Sequence, residues 1–143
     1  MKFSHTLKTS ASPEKIWSIW TDVEHWSKWD TELSDAYLES PFALGARGKL
    51  TPKQGRVSTF KISQLIPGKS YTFTINLPLC SLNVHRYLNV QSDGTYFTHE
   101  ITFQGLLAFL FGQILGRQFQ AVLPSVMQNV KQIAELRQSS KNC

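Results

Sequence analysis

The chain has 143 residues, an apolar fraction of 41%, an aromatic fraction of 12% and a net charge of +5. Such a length and apolar content suit one globular domain, residues 1–143, with a sizeable core, and they exclude a disordered chain. Its two cysteines, Cys80 and Cys143, make neither a disulfide framework nor a metal site and fit a reducing, cytoplasmic setting.

Met1 to Ala11 alternates polar and apolar residues without a continuous apolar block, so no secretory signal is expected there. Phe3, His5, Leu7 and Thr9 alternate with Ser4, Thr6 and Lys8, which predicts an opening strand. Ser12 then offers an N-cap, Pro13 suits the first helical position, and Glu14 complements the helix dipole. A short helix through Ile16, Trp17 and Trp20 follows, and Asp22 is placed to cap a second one carrying Val23, His25 and Trp26. With Trp29, four tryptophans fall in this stretch, and most are expected to pack in the core.

From Leu33 onward the spacing predicts antiparallel strands: Leu33–Glu39, Arg47–Thr51, Arg56–Ile66, Ser70–Leu77, Leu82–Gln91 and Thr95–Phe103. Pro67-Gly68 suits the central positions of a type II turn, and Asp93-Gly94 is a hairpin signal. With Asp93-Gly94 at the tip, Val90, Leu88, Arg86 and Val84 oppose Phe97, His99, Ile101 and Phe103 on an apolar face. Asn89, Tyr87 and His85 face the other way, as a sheet covered on one side requires. The preceding hairpin groups Phe60, Ile62 and Gln64 with Tyr71, Phe73 and Ile75.

Six of the ten acids lie between Asp22 and Glu39, while Arg47, Lys49, Lys53, Arg56, Lys61 and Lys69 follow with no acid among them. A basic block attracts phosphate or anionic lipid on one reading and is the solvent face of strands on another. No arginine-rich cluster or nucleic-acid motif accompanies it, so the second is preferred and no nucleic-acid partner is expected. The apolar run Leu106–Leu115 is too short for a bilayer, which needs about 20 residues. It predicts a core helix or an interfacial contact, not stable membrane insertion.

Gln113 to Gln138 then reads as one amphipathic helix. Leu115, Phe119, Val122, Leu123, Val126, Met127, Val130, Ile133 and Leu136 form its apolar stripe, and Gln118 and Glu135 lie on the wet side. At about 26 residues it spans roughly 39 Å, and Pro124 predicts a kink within it, not a break.

Strand, two short helices, about six strands and a long helix together resemble the helix-grip fold of the START-like (SRPBCC) superfamily, in particular its polyketide cyclase/dehydrase-like branch. The residues that carry the resemblance are Ser12-Pro13-Glu14-Lys15-Ile16-Trp17, Trp26-Ser27-Lys28-Trp29-Asp30, Ile66-Pro67-Gly68, Asp93-Gly94-Thr95 and Phe103-Gln104-Gly105. The resemblance implies an α+β fold, a curved antiparallel sheet wrapped around the long C-terminal helix. It also implies an apolar or aromatic ligand held between the two.

No phosphate-binding glycine loop, metal-ligand spacing or nucleophile elbow occurs, so neither cofactor nor metal is expected. The polar residues on the inner face, Arg86, His99, Tyr71 and Gln64, are the informative ones. Arg86 cannot be buried cheaply without a partner, and a cavity-facing histidine suits acid–base work. The candidate wall comprises Phe60, Tyr71, Phe73, Arg86 and Leu88, with His99, Phe103, Phe119, Leu123 and Met127 opposite. His99, Arg86 and Tyr71 are also the candidates for catalysis. Asp30, Glu32 and Asp35 are expected to face solvent, and His5, His25 and His85 to be surface or loop residues. Three functions fit: a carrier or sensor of a small hydrophobic ligand, lipid-like or polyketide-like; a cyclase- or dehydratase-like enzyme; and a protein- or membrane-surface interaction module.

Overall fold

Strand β1 (Lys2–Thr9) alternates half-buried with exposed residues, and the chain then turns into helix α1 (Pro13–Thr21). The Ser12 hydroxyl accepts the Lys15 N–H at 3.3 Å, with Pro13 in the first turn, so the helix starts where its capping chemistry dictates. Ile16, Ile19 and Trp20 form its buried face. Val23–Lys28 is a 3₁₀ helix that buries Val23 and Trp26. Asp22 does not cap it through its side chain; the carboxylate instead meets His25 Nδ1 at 2.7 Å.

The computed structural model describes the backbone of residues 2–142 and the side chains of residues 2–136, so Cys143 lies outside the described residues. Six further strands follow: β2 (Leu33–Leu38), β3 (Arg47–Pro52), β4 (Ser58–Ile66), β5 (Ser70–Leu77), β6 (Cys80–Gln91) and β7 (Gly94–Gln104). They make a curved, seven-stranded antiparallel sheet in the order β1-β7-β6-β5-β4-β3-β2. The first strand therefore pairs with the last, and β1 and β2 are the two edges.

Two details of register differ from the sequence reading. The tip of the β6–β7 hairpin is Ser92-Asp93, with Gln91 paired to Gly94, one residue earlier than expected. Face parity is kept, but every partner moves by two, so Arg86 stands opposite His99 and not Ile101. In β4 the register shifts between Ile62 and Gln64, where Ser63 is the extra residue of a bulge. The shift sends Gln64 to the outer face, where it accepts the Thr72 hydroxyl, and brings Leu65 opposite Tyr71. At the next turn Gly68 has φ +77° and the Lys69 N–H meets the Ile66 carbonyl at 2.9 Å, as a type II turn requires.

Helical backbone begins at Ala108, earlier than the apolar stripe suggests. A short α2 (Ala108–Phe111) leads through a π-helical turn (Gly112–Gly116) into α3 (Arg117–Asn142), which is continuous across Pro124. Gly105 (φ +116°) and the Leu107 N–H, bonded to the Leu79 carbonyl at 3.0 Å, seat this segment on the β5–β6 turn. Leu123, Val126, Met127, Val130 and Ala134 form the buried face of α3, whereas Leu136 is exposed. Glu135, expected in water, instead accepts hydrogen bonds from Thr9 Oγ1 and from the Ser10 N–H and hydroxyl at 3.0–3.3 Å. That clasp holds α3 nearest β1 and α1.

Candidate functional site

The concave face carries a row of polar residues across four adjacent strands. Tyr71 on β5 pairs with Arg86 on β6, Arg86 with His99 on β7, and His99 with His5 on β1. Strand parity put three of these on one face; the hairpin tip makes them direct neighbours. His5 is thus a half-buried strand residue of this face, while His85 lies outside against the Thr72 hydroxyl at 2.7 Å.

Helix α1 and the 3₁₀ helix fix the row from one side. The Trp20 indole N–H donates to His99 Nε2 at 3.0 Å, and the Trp20 carbonyl accepts both the Tyr71 hydroxyl (3.2 Å) and the Trp26 indole N–H (2.9 Å). Because His99 accepts at Nε2, its proton sits on Nδ1. Burial first, and then the positive charge of Arg86, hold its pKa well below the usual histidine range. His99 is a neutral, oriented imidazole. Burial likewise pushes the Tyr71 phenol up, against the opposing pull of Arg86.

Arg86 is the unusual residue. It is 4% exposed, and its guanidinium carbon stands 4.9 Å from the ring centres of Trp26 and Trp29 and 5.1 Å from that of Phe73. One donor reaches the Tyr71 hydroxyl, and Nε is buried without a hydrogen-bond partner. Among the described residues no carboxylate lies within ion-pair distance of it. The aromatic rings offset part of the cost of burying the charge, each by about 0.5–2 kcal/mol. They do not satisfy its hydrogen bonds.

Beside Arg86 opens a cavity of about 250 Å³. Ile75, Leu82, Val84 and Ile101 of the sheet, Leu33 and Leu50 of β2 and β3, and Phe119, Val122, Leu123 and Val126 of α3 make it largely apolar. Of the residues expected on the wall, Phe73, Arg86, His99, Phe119 and Leu123 line it. Phe60 lies behind, stacked on Trp26; Tyr71 is behind Arg86; Leu88 is further along β6; Phe103 stacks on Phe119; and Met127 is wholly buried elsewhere in the core.

The cavity also has polar lining residues that the sequence reading placed in solvent. Asp30 and Glu32 both line it, whereas Asp35 is exposed. Asp30 is half-buried, accepts the Glu32 N–H at 3.0 Å, and has its pKa raised by burial despite the pull of Arg86. Gln118, from the supposedly wet face of the helix, crosses to Glu32 Oε2 at 3.2 Å. No periodicity marks the segment that carries Asp30. The segment is held by its backbone, the Asp30 N–H donating to the Trp26 carbonyl at 2.8 Å, beside the buried Trp26 and Trp29.

The model of the family described as "Polyketide cyclase / dehydrase and lipid transport" matches residues 1–135. No curated protein sequence matches the chain. Among solved structures, the chain is similar to the di-domain ARO/CYC StfQ from the steffimycin biosynthetic pathway, with a TM-score of 0.79 and 13% identity over 96% of the chain. It spans about half of that protein (51%). TTHA0849 from Thermus thermophilus has a TM-score of 0.71 and 10% identity, over 96% of this chain and 99% of its own. The Aha1 dimer from Colwellia psychrerythraea has a TM-score of 0.69 and 18% identity, over 94% and 96%. At these identities the likeness is one of fold.

Proposed function

The chain belongs to the polyketide cyclase/dehydrase and lipid transport family, and from that premise we propose that it holds a small, largely apolar ligand between sheet and helix α3, as a carrier or sensor without turnover. The cavity of about 250 Å³, mostly apolar in its lining with a few polar groups that include Arg86 and His99, is the observation that carries this reading. Apolar burial supplies affinity, on the order of 25 cal/mol per Å² removed from water. Turnover is the weaker reading, because it asks His99 to shuttle a proton. The Nε2 lone pair of His99 is committed to Trp20, and its surroundings oppose its protonation.

N-phenyl-1-naphthylamine, a neutral apolar fluorophore, tests the proposal. It is expected to bind the parent and to lose at least tenfold in affinity for Leu123→Trp, whose larger ring fills the space Leu123 lines. Equal affinity in a folded Leu123→Trp protein would overturn the reading. Native mass spectrometry of freshly purified protein gives the complementary measurement, a co-purifying small molecule that the same substitution removes.

One feature favours a membrane-surface contact in addition. Leu106, Phe109 and Ile114 are 85%, 70% and 62% exposed, and Leu115, which follows them, lines the cavity. Among the described residues no helix is long and apolar enough to cross a membrane, so the contact would be superficial. Co-sedimentation with phosphatidylcholine vesicles that is abolished by Leu106→Ser/Phe109→Ser supports it; a parent protein left in the supernatant refutes it.

A further inference from the structure

Resting on the cavity reading above, we propose that the ligand carries an anionic oxygen, a carboxylate or a phenolate, at one end of its apolar body, and that Arg86 selects it. A guanidinium has five N–H donors and stays charged at any ordinary pH. Here the side chain is almost fully buried yet lines the cavity; it gives one bond to the Tyr71 hydroxyl, Nε is shielded and unpartnered, and the remaining terminal N–H groups are the ones a bound acceptor can meet. A buried charge left in that state is costly, and cavities normally supply the missing acceptor through what they bind.

The surroundings favour an oxygen anion over a neutral apolar group. Trp26, Trp29 and Phe73 offer the guanidinium ring faces, so a planar acceptor meeting its edge completes the environment without displacing them. His99 stands beside Arg86 as a second N–H-bearing group on the cavity wall. Asp30 and Glu32 also line the space, and their negative charge is the opposing influence. Neither lies within ion-pair distance of Arg86, which limits that opposition.

The test uses two probes of one shape, 2-naphthoate and its neutral methyl-ketone counterpart 2-acetylnaphthalene, titrated calorimetrically at pH 7.5. The parent is expected to bind the carboxylate at least tenfold more tightly than the ketone. Arg86→Met abolishes that preference and leaves ketone affinity within about twofold. Lys61→Met removes the same unit of charge from an exposed position and retains the preference. Should Arg86→Met not fold, Asp30→Asn decides: it tightens naphthoate two- to fivefold and leaves the ketone unchanged. A parent that binds both probes equally, an Arg86→Met protein that keeps the preference, or an Asp30→Asn protein that loses affinity for naphthoate overturns the proposal. Failure of both probes to bind any variant would instead strike the underlying cavity reading.

Discussion

At the scale of single residues, His99 is where the structure makes a sharp statement about pH. An unfolded histidine takes up a proton near pH 6.5, whereas burial and Arg86 hold the folded pKa of His99 well below that. Between the two values the unfolded chain binds more protons. The stability contribution is therefore complete above about pH 6.5 and is lost as pH falls, by up to about 1.4 kcal/mol per pH unit. Asp30 works in the opposite sense, gaining stability as pH falls through its raised folded pKa. Chemical denaturation between pH 8 and pH 5.5 should show this loss, and His99→Gln should flatten it; an unchanged slope in the variant would assign it to other groups. His99→Phe also strips the Trp20 indole of its acceptor and should cost about 1–3 kcal/mol. On β6 and β7, which residues share the concave face was readable from strand parity, because side chains alternate strictly there. That Arg86 and His99 stand directly opposite across strands was not, because one residue of slip at a hairpin tip moves every partner by two while leaving the parity intact. Asp30 was not readable either, since loops have no period.

Elements depart from regular repeats at two points, and each changes what faces the core. The bulge at Ser63 predicts that Gln64→Leu is close to neutral, within about 0.5 kcal/mol, as for an outer-face position. Leu65→Asn, by contrast, should destabilise by about 1.5–3 kcal/mol, because Leu65 is the side chain packed inward. Equal costs at the two positions would mean that the shift in register is absent. At Gly116, a Cβ would lie 2.2 Å from the Phe3 ring, so the π turn meets β1 with no room for a methyl group. Gly116→Ala should cost about 1–3 kcal/mol, and the paired Phe3→Leu change should recover part of it, which thermal melts of the single and double variants will show. The stripe on α3 was legible because packing against a sheet imposes steps of three and four. The π turn was not, since its extra residue breaks that step where the sequence is apolar on all sides.

For the whole molecule, the order of elements and their faces sufficed to anticipate a curved sheet gripping a helix. Apolar alternation and turn chemistry agree along almost the entire chain. The basic block is legible in the same way: Arg47, Lys61 and Lys69 are exposed strand or turn residues outside the cavity, as alternation required. Where the cavity opens depends on distances between elements far apart in sequence. Those are set by the Glu135 clasp on Thr9 and Ser10 and by the Asn129 bond to the Trp29 carbonyl, neither of which has a local signature.

The pairing of β1 with β7 also has a consequence in time. Lys2 must find Thr102 and Thr9 must find Thr95, so the first strand synthesised has no partner until the last has been made. Closing loops of that span comes before any reward from the contacts they permit, and antiparallel sheets joined this way fold on the scale of milliseconds to seconds. On the ribosome, the apolar alternation of β1 waits through the synthesis of six strands, for several seconds at about 5–20 residues per second. Refolding followed by tryptophan emission should therefore be slower than a millisecond, with Leu7→Ala accelerating unfolding much more than it slows refolding. A substitution at the Ile62–Phe73 contact, by contrast, should act chiefly on the refolding rate, because β4 and β5 are neighbours in sequence and can form before the edge is closed.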